Sequence, residues 1–223
     1  MECYTDNVAR VNAKRRYQSE RRSQQASATR REIVEAASRL FAEHGYVGTT
    51  MEAIAREASV AVQTVYGAFG SKRAILSRLV DVAVVGDEEP VPLLERKGPR
   101  QVLHERDQRT QIAMFARGIG QIMERVSPVF EVMRIAAPAE PEIAALLDGL
   151  LKKRLQGMRF FVDALAGNSP LRAGVTRGRA AQTVWTLSSP EVHRLVTVTL
   201  GWDTKRYEVW LRDMLEATLL APA

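Results

Sequence analysis

The sequence holds a single cysteine, Cys3, and three widely separated histidines, His44, His104 and His193. One cysteine excludes an intrachain disulfide and a cysteine-built zinc centre. The spacing of the histidines argues against any other metal centre. No run reaches the roughly 18 apolar residues of a membrane helix. Arg10, Lys14, Arg15 and Arg16 interrupt the stretch where a signal peptide would need its apolar core. The expected location is therefore the cytoplasm, with no membrane partner. GxSxG, HExxH, phosphate-loop and CxxC patterns are absent. Neither an enzyme nor a bound cofactor is expected.

What is present is a chain of 223 residues, 46% hydrophobic, with 32 Lys and Arg against 26 Asp and Glu, net +6. That length fits one or two domains with a real core. The charge is uneven. Residues 1–31 carry eight basic and three acidic residues, residues 32–80 five of each, and residues 81–223 nineteen against eighteen. The surplus is an amino-terminal arm. A basic arm before a folded domain points to a polyanionic partner; the alternative is a solvated tail.

Residues 1–28 lack an apolar period and read as a basic arm, largely disordered or extending the helix that follows. Thr29 and Glu32 have capping-box spacing. Ile33, Ala36, Ala37, Leu40 and Phe41 then mark one face of a helix, which Gly45 ends. Thr49 or Thr50 caps a second, short helix to about Ala58. A break at Ser59-Val60 leads to a third helix, Ala61 to Ala68, and Ser71 opens a fourth running to about Val85. Gly86 to Pro92 is the clearest linker. Beyond it the chain is again helical. Ile112, Phe115, Ile119, Ile122, Met123 and Val126 form one stripe, with a kink or restart expected at Pro128. A second stripe runs from Ile143 to Leu165. Ser189-Pro190 reads as an N-cap followed by a first-turn proline. The alternation of Leu195 to Leu200 looks strand-like, but a lone strand would have no partner, so helix is expected there. Tyr207, Trp210, Leu211, Met214, Leu215 and Leu219 line the last helix.

Two short helices joined by a tight break, set on a longer capped helix, are the form of a helix-turn-helix. The helix at 61–68 suits the DNA major groove. The one at 50–58 crosses the backbone with its first N–H groups open to a phosphate.

Residues 30–76 resemble the DNA-binding domain of TetR/AcrR-family transcriptional regulators. The matching residues are Ile33, Ala36, Ala37, Phe41, Gly45 and Tyr46; Thr49-Thr50, Ile54-Ala55 and Ala58; and Val60, Thr64, Val65-Tyr66, Phe69 and Ser71-Lys72. Residues 178–220, with Trp185, Ser189-Pro190, Gly201-Trp202 and Trp210-Leu211, resemble the carboxy-terminal region of a TetR subgroup. Four positions depart from the pattern. Ser59 replaces the usual turn glycine, Ala61 the usual Ser or Thr cap, Ala68 a frequent aromatic, and Arg73 a frequent Glu.

The resemblance implies an all-α chain. Residues 29–85 would be the helix-turn-helix domain, and residues 86–223 a helical effector-binding and dimerisation domain. It implies phosphate contacts at Thr50, Tyr66, Lys72 and Arg73, and base contacts from Val62, Gln63, Thr64 and Gly67. Arg21, Arg22, Arg30 and Arg31 of the arm lie where they would meet DNA. Phe115, Met123, Phe130, Met133, Met158, Phe161 and Trp185 are pocket candidates; Tyr207, Trp210, Met214 and Leu215 are interface candidates. Arg134 and Arg154 fall near apolar faces, where an anionic ligand or a salt bridge would engage them. The expected function is a ligand-responsive repressor, homodimeric on a pseudo-palindromic double-stranded operator, with a small apolar or amphipathic effector. The alternative is a DNA-binding regulator controlled by a protein partner or by abundance, for which a filled core would speak.

Overall fold

The computed structural model describes residues 3–87, 89 and 91–222, with side chains from Arg21 onward apart from Ser23. Every regular element among them is helical. The chain forms two compact units, Met1–Leu76 and Ser77–Ala223.

The first unit begins with α1, Cys3–Gly48. Of the two readings of the arm, the described residues follow the helix extension: Thr29 lies inside α1 and does not cap it. No glycine or proline occurs before Gly45, so no local signal stops the helix upstream. Ile33, Ala36, Ala37 and Phe41 are buried as one stripe. Gly45 takes φ 69°, ψ 174° and breaks the helical path, and Tyr46 folds back on Phe41 with ring centroids 5.6 Å apart. The buried Thr49 hydroxyl donates to the carbonyls of Leu40 and Gly45. Helix α2, Met51–Glu57, is capped by Thr50, whose hydroxyl accepts from the Ala53 N–H. Ser59 takes φ 56° at the turn, a left-handed conformation that strains a residue bearing a Cβ. Helix α3, Val62–Phe69, starts at Ala61 with no side-chain cap. Helix α4, Lys72–Val85, opens with Ser71 Oγ accepting from the Ala74 N–H.

The second unit contains a 3₁₀ turn at Leu93–Glu95 and helices α5, Lys97–His104; α6, Gln108–Ala136; α7, Pro141–Asn168; and α8, Arg177–Leu187. Then come α9, Pro190–Arg194, a π-helical turn at Leu195–Thr199, and α10, Thr204–Leu219. Helix α6 runs through Pro128 without restarting. The residues around that proline, Val126, Ser127, Val129 and Phe130, are all buried. Their packing outweighs the roughly 3 kcal/mol a mid-helix proline costs. The strand-like run after Arg194 is helical, as the lack of a partner strand requires. Gly120 marks a close approach of α6 and α10: a Cβ there would meet Glu208 Cγ at 2.7 Å.

Candidate nucleic-acid interface and effector cavity

Helix α3 presents two faces. Val65 is fully buried, whereas Gln63, Thr64, Tyr66 and Gly67 are exposed and Val62 is half-buried. Tyr66 is 48% exposed, so it is a surface aromatic and not a core one. A Cβ built on Gly67 meets nothing within 4 Å. Nothing inside the protein therefore requires glycine at this helical position. Thr50 and Arg73 are exposed at the first turns of α2 and α4.

Lys72 has a role in the fold that its sequence position did not disclose. Its ammonium donates to the carbonyls of Tyr46 and Thr49, each at 2.7 Å, and lies 4.2 Å from the Tyr46 ring centroid. These carbonyls sit just past the helical break at Gly45, where the chain leaves its own hydrogen-bond ladder. Lys72 thus ties the start of α4 to the turn between α1 and α2. Arg39 pairs with Glu57 at 2.8 Å on the surface of α1 and α2. Arg21, Arg22, Arg30 and Arg31 are exposed along α1.

In the second unit a cavity of about 410 Å³ is walled by Val84 and Val85 of α4, Leu93 and Leu94, Val102 and Leu103 of α5, and α6 and α7. Of the pocket candidates, Phe115, Met158 and Phe161 line it, and the Phe115 and Phe161 rings stack at 4.0 Å. Met123, Phe130 and Met133 are buried core side chains outside that lining; Trp185 is half-buried, also outside it, and packs under Arg154. The Met114, Ile119 and Ile122 side chains complete the apolar wall, and Arg96, Arg117 and Arg125 are its cations. Arg96 donates to Asp87 Oδ1 at 2.7 Å and also pairs with Oδ2. The guanidinium holds the Asp87 carboxyl down to about 2. That pair ties the linker at Asp87 to Arg96 in the cavity wall. Arg134 pairs with Glu131 through two bonds of 2.8 Å.

The interface candidates divide. Tyr207 and Leu215 are completely buried in the protomer's own core and have no surface to offer a partner. Trp210 is half-buried and Met214 exposed. Near them the sequence reading missed a larger apolar surface. Leu195, Val198 and Leu200 are exposed on the π-helical turn and the residue after it, Val198 at 68%, and Val209 is exposed on α10. Trp202 meets Trp210 edge-on at 6.0 Å.

Residues 33–79, spanning α2, α3 and their neighbours, match the family model described as bacterial regulatory proteins, tetR family. These residues form a DNA-binding domain similar to that of the tetR-family bacterial regulatory proteins. No curated protein matches it in sequence. Solved structures share its fold across most of its length. SmeT in complex with triclosan is 22% identical, with a TM-score of 0.70, over 88% of this chain and 93% of that one. SmeT is the repressor of the Stenotrophomonas maltophilia multidrug efflux pump SmeDEF. A transcriptional regulator from Saccharomonospora viridis in complex with choline is 18% identical, with a TM-score of 0.64, over 88% and 100%. FadR from Bacillus subtilis in complex with stearoyl-CoA is 18% identical, with a TM-score of 0.62, over 82% and 96%. At such identities the likeness establishes the fold. Among the described residues no helix is long and apolar enough to cross a membrane.

Proposed function

We propose that this chain is a TetR-family transcriptional regulator, a ligand-responsive repressor acting as a homodimer on a pseudo-palindromic operator. The observation that carries the reading is one chain holding both an exposed polar face on α3 and an apolar cavity of about 410 Å³ in its other unit. A cavity of that size suits a drug-sized apolar or amphipathic molecule. It also favours an effector over control by a protein partner alone, which needs no internal space.

On DNA, Gln63 reads adenine through its paired amide groups, and Thr64 offers a hydroxyl and a methyl. Val62 and Gly67 make apolar and close-approach contacts. Thr50, Tyr66, Lys72 and Arg73 set the register on phosphates. In this role Lys72 acts from a fixed place, since its bonds to Tyr46 and Thr49 hold the ammonium at the start of α4. The arginines of the arm, Arg21, Arg22, Arg30 and Arg31, add salt-dependent affinity. Val198, Trp202, Trp210 and Met214 lie in the dimer face. A two-fold pairing places the recognition helices about one DNA turn apart. Helix α4 gives Lys72 to the DNA-binding unit and Val84 and Val85 to the cavity wall. An effector that shifts α4 therefore biases the DNA-binding geometry by population shift.

Selection of bound fragments from genomic DNA of the source organism tests the reading. The expected yield is a palindrome with half-sites about one turn apart, released by a cavity ligand. Recovery of no enriched palindrome would reject it.

A further inference from the structure

Among the described residues, four buried side-chain polar atoms lack a hydrogen-bond partner: Arg154 Nη1, Trp185 Nε1, His193 Nε2 and the Tyr207 hydroxyl. All four lie on helices of the second unit, and they belong together. The Arg154 guanidinium sits 4.9 Å over the Trp185 ring. Its Nη2 donates to the Trp185 carbonyl and, at 3.1 Å, to Ser188 Oγ. Tyr207, 0% exposed, is within reach of the Arg154 charge. Its ring meets His193 edge-on at 4.9 Å, and His193 Nδ1 is held by Ser127 Oγ at 2.9 Å.

Buried polar groups are almost always satisfied, and a group of exceptions in one place calls for a missing partner. The charge here says which kind. Burial lowers Arg154 to about 10, which leaves it a cation at neutral pH. Among the described residues no carboxylate forms an ion pair with it; Glu191, whose charge it feels, is exposed on the surface. Arg154 is half-buried with its Nη1 fully enclosed, and a cation drawn into the interior without an anion is unfavourable. The free guanidinium nitrogen, the indole N–H and the phenol are all donors, a set that fits the oxygens of a carboxylate.

The cluster also has a route to the cavity. Arg154, Met158 and Phe161 lie at i, i+4 and i+7 on α7, one face of the helix. Met158 and Phe161 wall the cavity, and Met158 Sδ accepts from Ser188 Oγ at 3.8 Å. Met158, an unbranched thioether that repacks readily, touches both the apolar space and the Arg154 partner Ser188. We propose that Arg154, Trp185 and Tyr207 form an internal carboxylate-binding site one helical turn beyond the Met158 wall. The carboxylate is either a small free acid or the acid end of an apolar effector. Only the second source rests on the effector reading above.

Calorimetric titration and thermal unfolding of the full chain with acetate, octanoate and octanol test the site, using wild type, Arg154→Met and Tyr207→Phe. Octanoate is expected to bind wild type at least tenfold more tightly than octanol, and Arg154→Met to abolish that difference. Tyr207→Phe is expected to weaken octanoate several-fold. It should not lower the ligand-free melting temperature, because the deleted hydroxyl has no partner to lose. This variant carries the test if Arg154→Met does not fold. Acetate binding that depends on Arg154, without binding of octanol or octanoate, supports the site with the small free acid as its source and overturns the effector link. Equal binding of octanoate and octanol, with none of acetate, overturns the carboxylate site and leaves the cavity reading intact. Arg154→Met behaving like wild type also overturns the site, and no binding by any of the three probes overturns both.

Discussion

Gly67→Ala separates the folding of α3 from its use on DNA. A glycine inside a helix costs about 0.5–1 kcal/mol relative to alanine. Gly67 lies inside α3, and a Cβ there meets nothing within 4 Å. No steric term offsets the helical gain, so the variant should be more stable by roughly 0.5–1 kcal/mol. For a chain of this size that is about 1–4 °C in melting temperature. The same methyl group would stand on the face where the helix meets base edges. Added bulk in a tightly packed contact costs about 1–3 kcal/mol, so operator affinity should fall roughly five- to 150-fold. Differential scanning calorimetry reads the first effect and fluorescence anisotropy on the selected operator the second. Gly149→Ala, also in open space but on α7, is the control and should raise stability without changing affinity. Unchanged operator affinity for Gly67→Ala would show that this face of α3 does not approach DNA closely. A drop in melting temperature would refute the helical accounting itself.

Deleting residues 1–25 should lower DNA affinity and flatten its dependence on salt, since counterion release scales with the phosphates neutralised; an unchanged slope in a binding titration would remove the arm from the interface. Lys72→Met should destabilise the first unit by about 2–4 kcal/mol, because it leaves the Tyr46 and Thr49 carbonyls without their charge-assisted donor; urea unfolding is the measurement, and a loss below about 0.5 kcal/mol would count against the tie. Val198→Glu with Met214→Glu should convert the proposed dimer to monomer in analytical ultracentrifugation and weaken operator binding. His193 is buried and its pKa lowered by desolvation, a shift that the Glu124 charge opposes. The unfolded chain therefore binds the proton first, and stability should fall as the pH drops below about 6.5, the ordinary histidine value. Replacing His193 with Gln should remove that part of the slope in melting temperature between pH 7.5 and 5.

The DNA-binding unit was legible because its signals are local. The Thr50 cap, the Ser59 turn, the uncapped Ala61 and the buried Val65 each depend on residues within a few positions. The second unit was legible as helices and much less so as surfaces. A period near 3.6 says that Tyr207, Leu211, Leu215 and Leu219 share a face, but not what covers it. In the fold this stripe is the protomer's own core, while Val209 and Met214 point elsewhere. The Arg154 cluster was invisible for a stronger reason: Ser127, Arg154, Trp185, His193 and Tyr207 come from five helices and meet only through packing. The sequence offers Arg154 an anionic ligand or a salt bridge, Trp185 a pocket wall and Tyr207 an interface, but nothing in it brings the three together. The meeting also alters the meaning of the basic balance. The described arginines of the arm are exposed and exchangeable with salt, whereas Arg154 is half-buried and, among the described residues, in no ion pair. The first is the charge we propose for DNA affinity, and the second the one we propose for an acid group.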